Sequence, residues 1–338
     1  MSMDILKEDI KNNKLRNLYL FYGEEDYLKK YYCDSLEKII LRDDVTGLNK
    51  ITFDGKTEVY RIIEACETMP VFVERKFVVV KNSGLFKSQK ESSGNKNSKE
   101  EFLDYLKGFP DYTCLVFIEE SIDKRLKLVD VIKKAGLIVD FPYRKQNELV
   151  KWAVNIIRSG KKEIDQDTAA YLIGISEQGM NEILNEINKL VLYLGERAKV
   201  TVADIDKVCT KSIKSRIFDL TDAISQREEG LALKLLNDMV SLREPIPKIL
   251  FMITRQLRHL LEMKTLIDEG INLKDACSII GIPPFLGSKV LKQVQSFNAE
   301  DLKNAVKEAL DLDLAIKTGR VNDRIGTEML IFNLARTK

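Results

Sequence analysis

The chain has 338 residues, with 54 Lys and Arg against 52 Asp and Glu, for a net charge of +2. So even a balance excludes a strongly basic protein that coats nucleic acid, although it leaves room for local basic patches. The length suffices for two or three domains with real cores. No apolar run reaches the length of a membrane span, and Met1-Ser2-Met3-Asp4 lacks the apolar region of a signal peptide, so a cytoplasmic protein is expected. Cys33, Cys66, Cys114, Cys209 and Cys277 are odd in number, far apart and form no CxxC, which predicts reduced core residues rather than a disulfide framework or a zinc site. No metal or other cofactor is expected. His259, the single histidine, is read as structural.

In chain order, Leu18-Tyr19-Leu20-Phe21-Tyr22 ends at Gly23 and predicts a strand buried on both faces. Glu24-Glu25-Asp26 then opens a helix whose apolar positions run through Tyr27, Leu28, Tyr31, Leu36 and Ile40. A weaker strand is predicted over 48–53 and a helix over 58–67. A buried strand follows over 77–80, where Phe77, Val78, Val79 and Val80 are all apolar. Residues 83–99 are polar apart from Leu85 and Phe86 and predict a flexible surface loop. Helix, strand, helix, strand are expected over 100–107, 114–118, 124–134 and 137–141. The alternation predicts a parallel sheet with right-handed crossovers. After Pro142 the strand pattern stops. Helical spacing runs over 147–159, 165–173 and 181–194, with Gly195 as a stop and Thr201 and Asp204 as an imperfect capping box. From 215 onward every segment reads as helix, jointed at Pro245, Pro247, Pro283 and Pro284. The expected fold is therefore an α/β domain over 1–142, followed by two all-α domains over 143–212 and 213–338.

Two stretches carry functional expectations. The first is Met69-Pro70-Val71-Phe72, between the helix over 58–67 and the strand over 77–80. Pro70 blocks the helix and cannot donate to a sheet, so the apolar residues around it fall on a connection. Either Phe72 tucks under its own helix, or it is an exposed apolar plug for a partner's pocket. The second is the end of the first strand, where a phosphate loop would need Gly, four residues, then Gly-Lys-Ser/Thr. Counted from Gly23, those last three positions hold Leu28, Lys29 and Lys30. Leu28 obstructs close approach of phosphate, Lys30 cannot ligate magnesium, and Glu24, Glu25 and Asp26 set negative charge where phosphates would lie. No bound triphosphate is expected. Leu115-Val116-Phe117-Ile118-Glu119-Glu120 has the form of a magnesium-binding Walker B strand, with Glu119 in place of Asp. With the phosphate loop broken, a strand end with solvated acids is the preferred reading. The sequence shows no GxSxG, HExxH or Cys–His pair and points to no catalytic residue.

These pieces together resemble a known family, the delta subunits of bacterial DNA polymerase III, clamp-loader proteins of the AAA+ type. Leu18 to Glu25 resembles the family's opening "YLLYGEE", Asn181 to Leu190 its "L..E..KL" helix, Ile217 to Ile224 the start of its third domain, and Ala315 to Gly319 its "D..IK.G" signature. The resemblance implies a RecA-like domain with a degenerate nucleotide loop, a small helical lid and a helical collar. It implies a non-catalytic subunit of a polymerase holoenzyme that opens the sliding clamp for loading onto primed DNA, without hydrolysing ATP. The implied partners are the clamp and, through the collar, the gamma/tau and delta-prime subunits. The family's plug, a Leu-Phe pair after Met-Ser, falls on Met69, Pro70, Val71 and Phe72, with Val71 for Leu and Pro70 for Ser. Two rivals remain: an active ATPase using Lys29 and Glu119, and a passive scaffold in which Phe72 is core. Arg255, Arg258, Lys317, Arg320 and Arg324 are candidates for phosphate contact but are read first as solvated faces or collar contacts.

Overall fold

The computed structural model describes residues 2–87, 96–282 and 284–336. The chain divides into two compact units, Met1–Arg144 with Gly179–Asn181, and Lys145–Gln178 with Glu182–Lys338.

The first unit holds β1 (Leu18–Tyr22), β2 (Lys50–Asp54), β3 (Lys76–Lys81), β4 (Thr113–Glu119) and β5 (Leu137–Asp140). They form one parallel sheet in the order β2-β3-β4-β1-β5, with Leu18 opposite Leu115 and Tyr19 opposite Leu137. The helices are α1 (Ser2–Lys11), α2 (Asp26–Ile40), α3 (Val59–Glu67), α4 (Lys96–Tyr105) and α5 (Lys127–Ala135). The continuous apolar runs are explained by burial on both faces. Leu18, Leu20, Val78, Val80, Leu115 and Phe117 pack one layer with Ile62 and Cys66 of α3, while Tyr19, Phe21, Phe77, Val79 and Val116 pack the other with Leu36 of α2. The edge strand β2 alternates between exposed and half-buried residues, which is why its pattern is the weakest.

One expectation needs correcting here, and one element adds to those expected. α1 spans 2–11 and buries Leu6 in the second layer, where Met3 and Ile10 of the same helix also pack at helical spacing. The expected surface loop over 83–99 is not a loop throughout. Phe86 is fully buried, edge-on to Phe117 at 5.1 Å, its carbonyl oxygen accepts the Asp123 N–H at 2.7 Å, and α4 already begins at Lys96. One aromatic among polar residues suffices to pin the start of the segment. Residues 88–95 lie outside the described residues.

The second unit is helical: α6 (Gln146–Ser159), α7 (Gln166–Ile175), α8 (Met180–Leu194), α9 (Val202–Val208), α10 (Ile213–Ser225), α11 (Glu229–Ser241), α12 (Ile246–Asp268), α13 (Leu273–Ile280), α14 (Pro284–Gln295), α15 (Ala299–Lys317) and α16 (Asp323–Arg336). Local chemistry sets the starts: the side chains of Asp165, Thr201, Ser212, Asn272 and Asn298 each accept a backbone N–H three residues on, and Thr201 with Asp204 completes a capping box. One apolar core, around Ala153, Leu172, Ile187 and Leu190, is built from α6–α9. Another, around Leu220, Leu236, Ile253, Leu257 and Ile331, is built from the helices after Ser212. All five cysteines are buried and free. Among the described residues no helix is long and apolar enough to cross a membrane.

Candidate functional site

In an open parallel sheet, ligands bind at the carboxyl ends of the strands where the order reverses, here beyond β1 and β4. That place is filled by the chain itself. Gly23 has φ +118°, and a Cβ there would lie 2.4 Å from the Phe141 carbonyl oxygen. Only glycine fits this contact. The Gly23 N–H donates to Glu120 O at 3.1 Å and the Glu25 N–H to Phe141 O at 2.9 Å. Two backbone donors at the start of this loop, those of Gly23 and Glu25, are thus committed.

Lys29, at the phosphate-loop lysine position, is buried. Its ammonium donates to Gly23 O at 2.6 Å and Glu119 O at 3.1 Å and pairs with Asp26 at 2.8 Å. An ammonium has three donors, and each has an acceptor here. Leu28 is half-buried and Lys30 exposed. The three acids also differ from a simple cluster of free charges. Glu24 is exposed, Asp26 neutralises Lys29, and buried Glu25 accepts the Met180 N–H at 3.1 Å rather than capping its own helix.

Glu119 is not a solvated acid, and that expectation is corrected. It is buried, and its carboxylate accepts the Ser83 N–H at 2.8 Å and the Ser83 hydroxyl at 2.5 Å. Burial pushes its pKa up, and the Ser83 hydrogen bonds offset part of that rise. Ser83 follows β3, so no pattern around Glu119 could announce the pairing.

The α3–β3 connection is the second place. Phe72 is 93% exposed and Met69 75%, with Val71 at the margin of exposure. Phe72 therefore does not tuck under α3. It also has φ +62°, a left-handed conformation rare for a bulky residue and costing about 1–2 kcal/mol. Such strain persists only where neighbours over-determine it, and two buried polar side chains do so here. Asn49, 1% exposed, accepts the Val71 N–H at 2.7 Å on Oδ1 and donates from Nδ2 to Val71 O at 2.9 Å. Buried Lys76 donates from its ammonium to Thr68 O at 2.8 Å, at the carboxyl end of α3. Burial lowers the Lys76 pKa. Asn49 is tied down in turn: its N–H donates to the Asp44 carboxylate at 3.2 Å, and its carbonyl accepts the Phe77 N–H at 2.8 Å. Asp44 also accepts from Thr46 and Gly47, and the hydrogen bonds from Thr46, its hydroxyl first, and from Asn49 lower its pKa to about 2.

The four expected residues Met69, Pro70, Val71 and Phe72 thus form one apolar knob on a braced loop. The bracing residues Asn49, Lys76, Asp44 and Thr68 were not legible in sequence. A lysine opening the apolar run at Phe77 was the only available signal, since a charge beside a buried strand needs an acceptor.

A family model described as DNA polymerase III, delta subunit, matches residues 19–141, and a second, for the C-terminal domain of the same DNA polymerase III delta subunit, matches residues 214–334. A DNA polymerase III subunit delta of Bacillus subtilis is 24% identical over 339 residues, covering 99% of this chain and 97% of that protein. In fold, the chain is similar to a solved Bacillus subtilis DNA clamp loader delta protein, with a TM-score of 0.56 and 24% identity over 100% of both chains. The two matching models follow one another as the sheet unit and the final helical segment do, and the chain belongs to the DNA polymerase III delta subunit family.

Proposed function

We propose that this chain is the subunit of a clamp loader that binds and opens the sliding clamp for loading onto primed DNA, using Met69, Pro70, Val71 and Phe72 as the contact. The single observation behind this reading is the Phe72 ring, almost fully exposed and held at a strained φ by Asn49. A chain gains nothing by holding a phenyl ring in water at a conformational cost; a partner's apolar pocket supplies the return. Burying Phe72 with an aliphatic neighbour contributes about 3–6 kcal/mol before the cost of association. A rigid knob loses little entropy on docking. If the docked unit fits an opened clamp better than a closed one, that difference in affinity shifts the clamp toward opening.

The chain itself neither binds nor hydrolyses ATP in this proposal. The support is the closed loop: Lys29 is saturated by its own backbone carbonyls and Asp26, and Glu119 is engaged by Ser83. The chain therefore acts as a non-catalytic, cytoplasmic subunit of the polymerase holoenzyme. Residues 1–142 serve as the clamp-binding domain, 143–212 as a lid and 213–338 as a collar that joins the gamma/tau and delta-prime subunits. Separate apolar cores before and after Ser212 support the last division.

The test is retention on the organism's immobilised sliding clamp. Phe72→Ala with Val71→Ala is expected to abolish retention while leaving the unfolding curve in place. Retention equal to the unaltered chain overturns the proposal, and a nucleotide titration showing tight ATP binding overturns its second half.

A further inference from the structure

A second apolar projection stands beside the Phe72 knob. Residues 44–49 make a tight turn before β2, and two of its side chains face water: Val45 is 96% exposed and Leu48 65%. Single apolar residues scattered over a surface need no explanation. Two within four positions, in a turn where polar residues are the rule, do.

Nor is the turn loose. The Thr46 and Gly47 N–H groups donate to the Asp44 carboxylate at 2.9 and 3.1 Å, the Leu48 N–H to the Thr46 hydroxyl oxygen at 3.2 Å, and the Asn49 N–H back to Asp44 at 3.2 Å. Four consecutive backbone donors thus have acceptors inside the turn, which sets its shape before any partner arrives. The last of the four belongs to Asn49, whose side chain grips the Val71 N–H and carbonyl oxygen. One asparagine therefore joins the two apolar turns into one rigid body.

The size of a stable interface places this turn under the partner. Such an interface buries about 800 Å² on each side, a disc of about 16 Å radius. One phenyl ring supplies about 150–250 Å² of that, so most of the contact falls on residues around the knob. An asparagine side chain and one hydrogen bond span about 7 Å, and the next Cα is about 3.8 Å further. Leu48 is therefore within about 11 Å of Val71, inside the footprint, and Val45 is held on the same closed turn. A hydrated partner surface would leave both side chains in water; an apolar surface beside the pocket that takes Phe72 covers them.

We propose that Val45 and Leu48 form a second contact with the sliding clamp, seated on an apolar surface next to the pocket that receives Phe72. This rests on the clamp-binding reading of Phe72 and extends it. A single knob in a pocket can swivel, whereas two contacts on one rigid body fix the orientation in which the clamp is held.

The experiment is surface plasmon resonance of the full chain on immobilised clamp. Val45→Ala with Leu48→Ala is expected to raise Kd by about 5- to 30-fold, mostly through faster dissociation, with the unfolding curve unchanged. The factor should persist within twofold when Phe72 is already alanine, because a separate contact does not act through the ring. An unchanged Kd in the Val45→Ala, Leu48→Ala variant, while Phe72→Ala still weakens binding, overturns this proposal and leaves the clamp reading standing. A factor that vanishes in the Phe72→Ala background also overturns it and reduces the turn to a brace for Asn49. No clamp binding by the unaltered chain overturns both. Sedimentation velocity covers the remaining outcome: a dimer of the unaltered chain that the variant abolishes, with the Kd for clamp unchanged, assigns the turn to a second copy of this chain and overturns the proposal.

Discussion

Asn49→Ala separates presentation of the knob from the knob itself. The substitution removes the two hydrogen bonds that grip Val71, at 2.7 and 2.9 Å. Two such bonds contribute about 1–3 kcal/mol to stability, and the lower half of that range applies because the freed Val71 groups sit near water. The effect on binding follows from the strain. With the grip gone, Phe72 is free to leave φ +62° and recover about 1–2 kcal/mol. The presenting conformer then falls to roughly one chain in five to one in thirty, and the apparent Kd for the sliding clamp rises by about 5- to 30-fold. Phe72→Ala removes the anchor and should cost more, about 2 kcal/mol or above. Surface plasmon resonance on immobilised clamp measures both changes, alone and combined. Since Asn49 acts through Phe72, its substitution should change Kd less than twofold in the Phe72→Ala background. An Asn49→Ala effect below twofold in the unaltered chain, or the same factor in both backgrounds, refutes the reasoning.

Phe72→Gly is expected to be more stable than Phe72→Ala by about 1 kcal/mol, because glycine occupies positive φ without a Cβ clash; urea unfolding of the two variants decides it. Lys29→Met should destabilise the chain by about 1–3 kcal/mol, since it strands the Gly23 and Glu119 carbonyl oxygens, yet leave a nucleotide titration flat. Nucleotide binding by the unaltered chain that Lys29→Met abolishes would mean the loop is functional. The lowered Asp44 pKa gives a signed pH effect. Its folded value, about 2, lies below the ordinary value of about 3.9, so its contribution is complete above about pH 4 and is lost as pH falls toward 2. Melting curves at pH 5 and pH 3 should therefore draw closer together in Asp44→Asn than in the unaltered chain, and equal separations count against the role assigned to Asp44.

How much could be read in advance depended on the range of the interaction. The strands at Leu18–Tyr22, Lys76–Lys81 and Thr113–Glu119 were legible because a sheet buried on both faces writes a continuous apolar run into the chain. The stop at Gly195 and the capping box at Thr201 and Asp204 were legible because they act within one turn. The broken phosphate loop could be counted from Gly23 for the same reason. The position of the apolar stretch at Met69–Phe72 followed from Pro70, which ends a helix wherever it stands.

Whether Phe72 points inward or outward was another matter. Both answers fit the same residues, and the choice rests on Asn49 and Lys76, which reach the loop from β2's approach and from β3. The contacts of Lys29 with Gly23 and Asp26, and of Glu119 with Ser83, were likewise not written in the sequence around either residue. Composition and spacing record which side chains want to leave water. They do not record which buried donor meets which acceptor, because those pairs form only when the sheet and its crossovers close, and in this chain those pairs hold the Phe72 ring out in water and keep the loop after β1 shut.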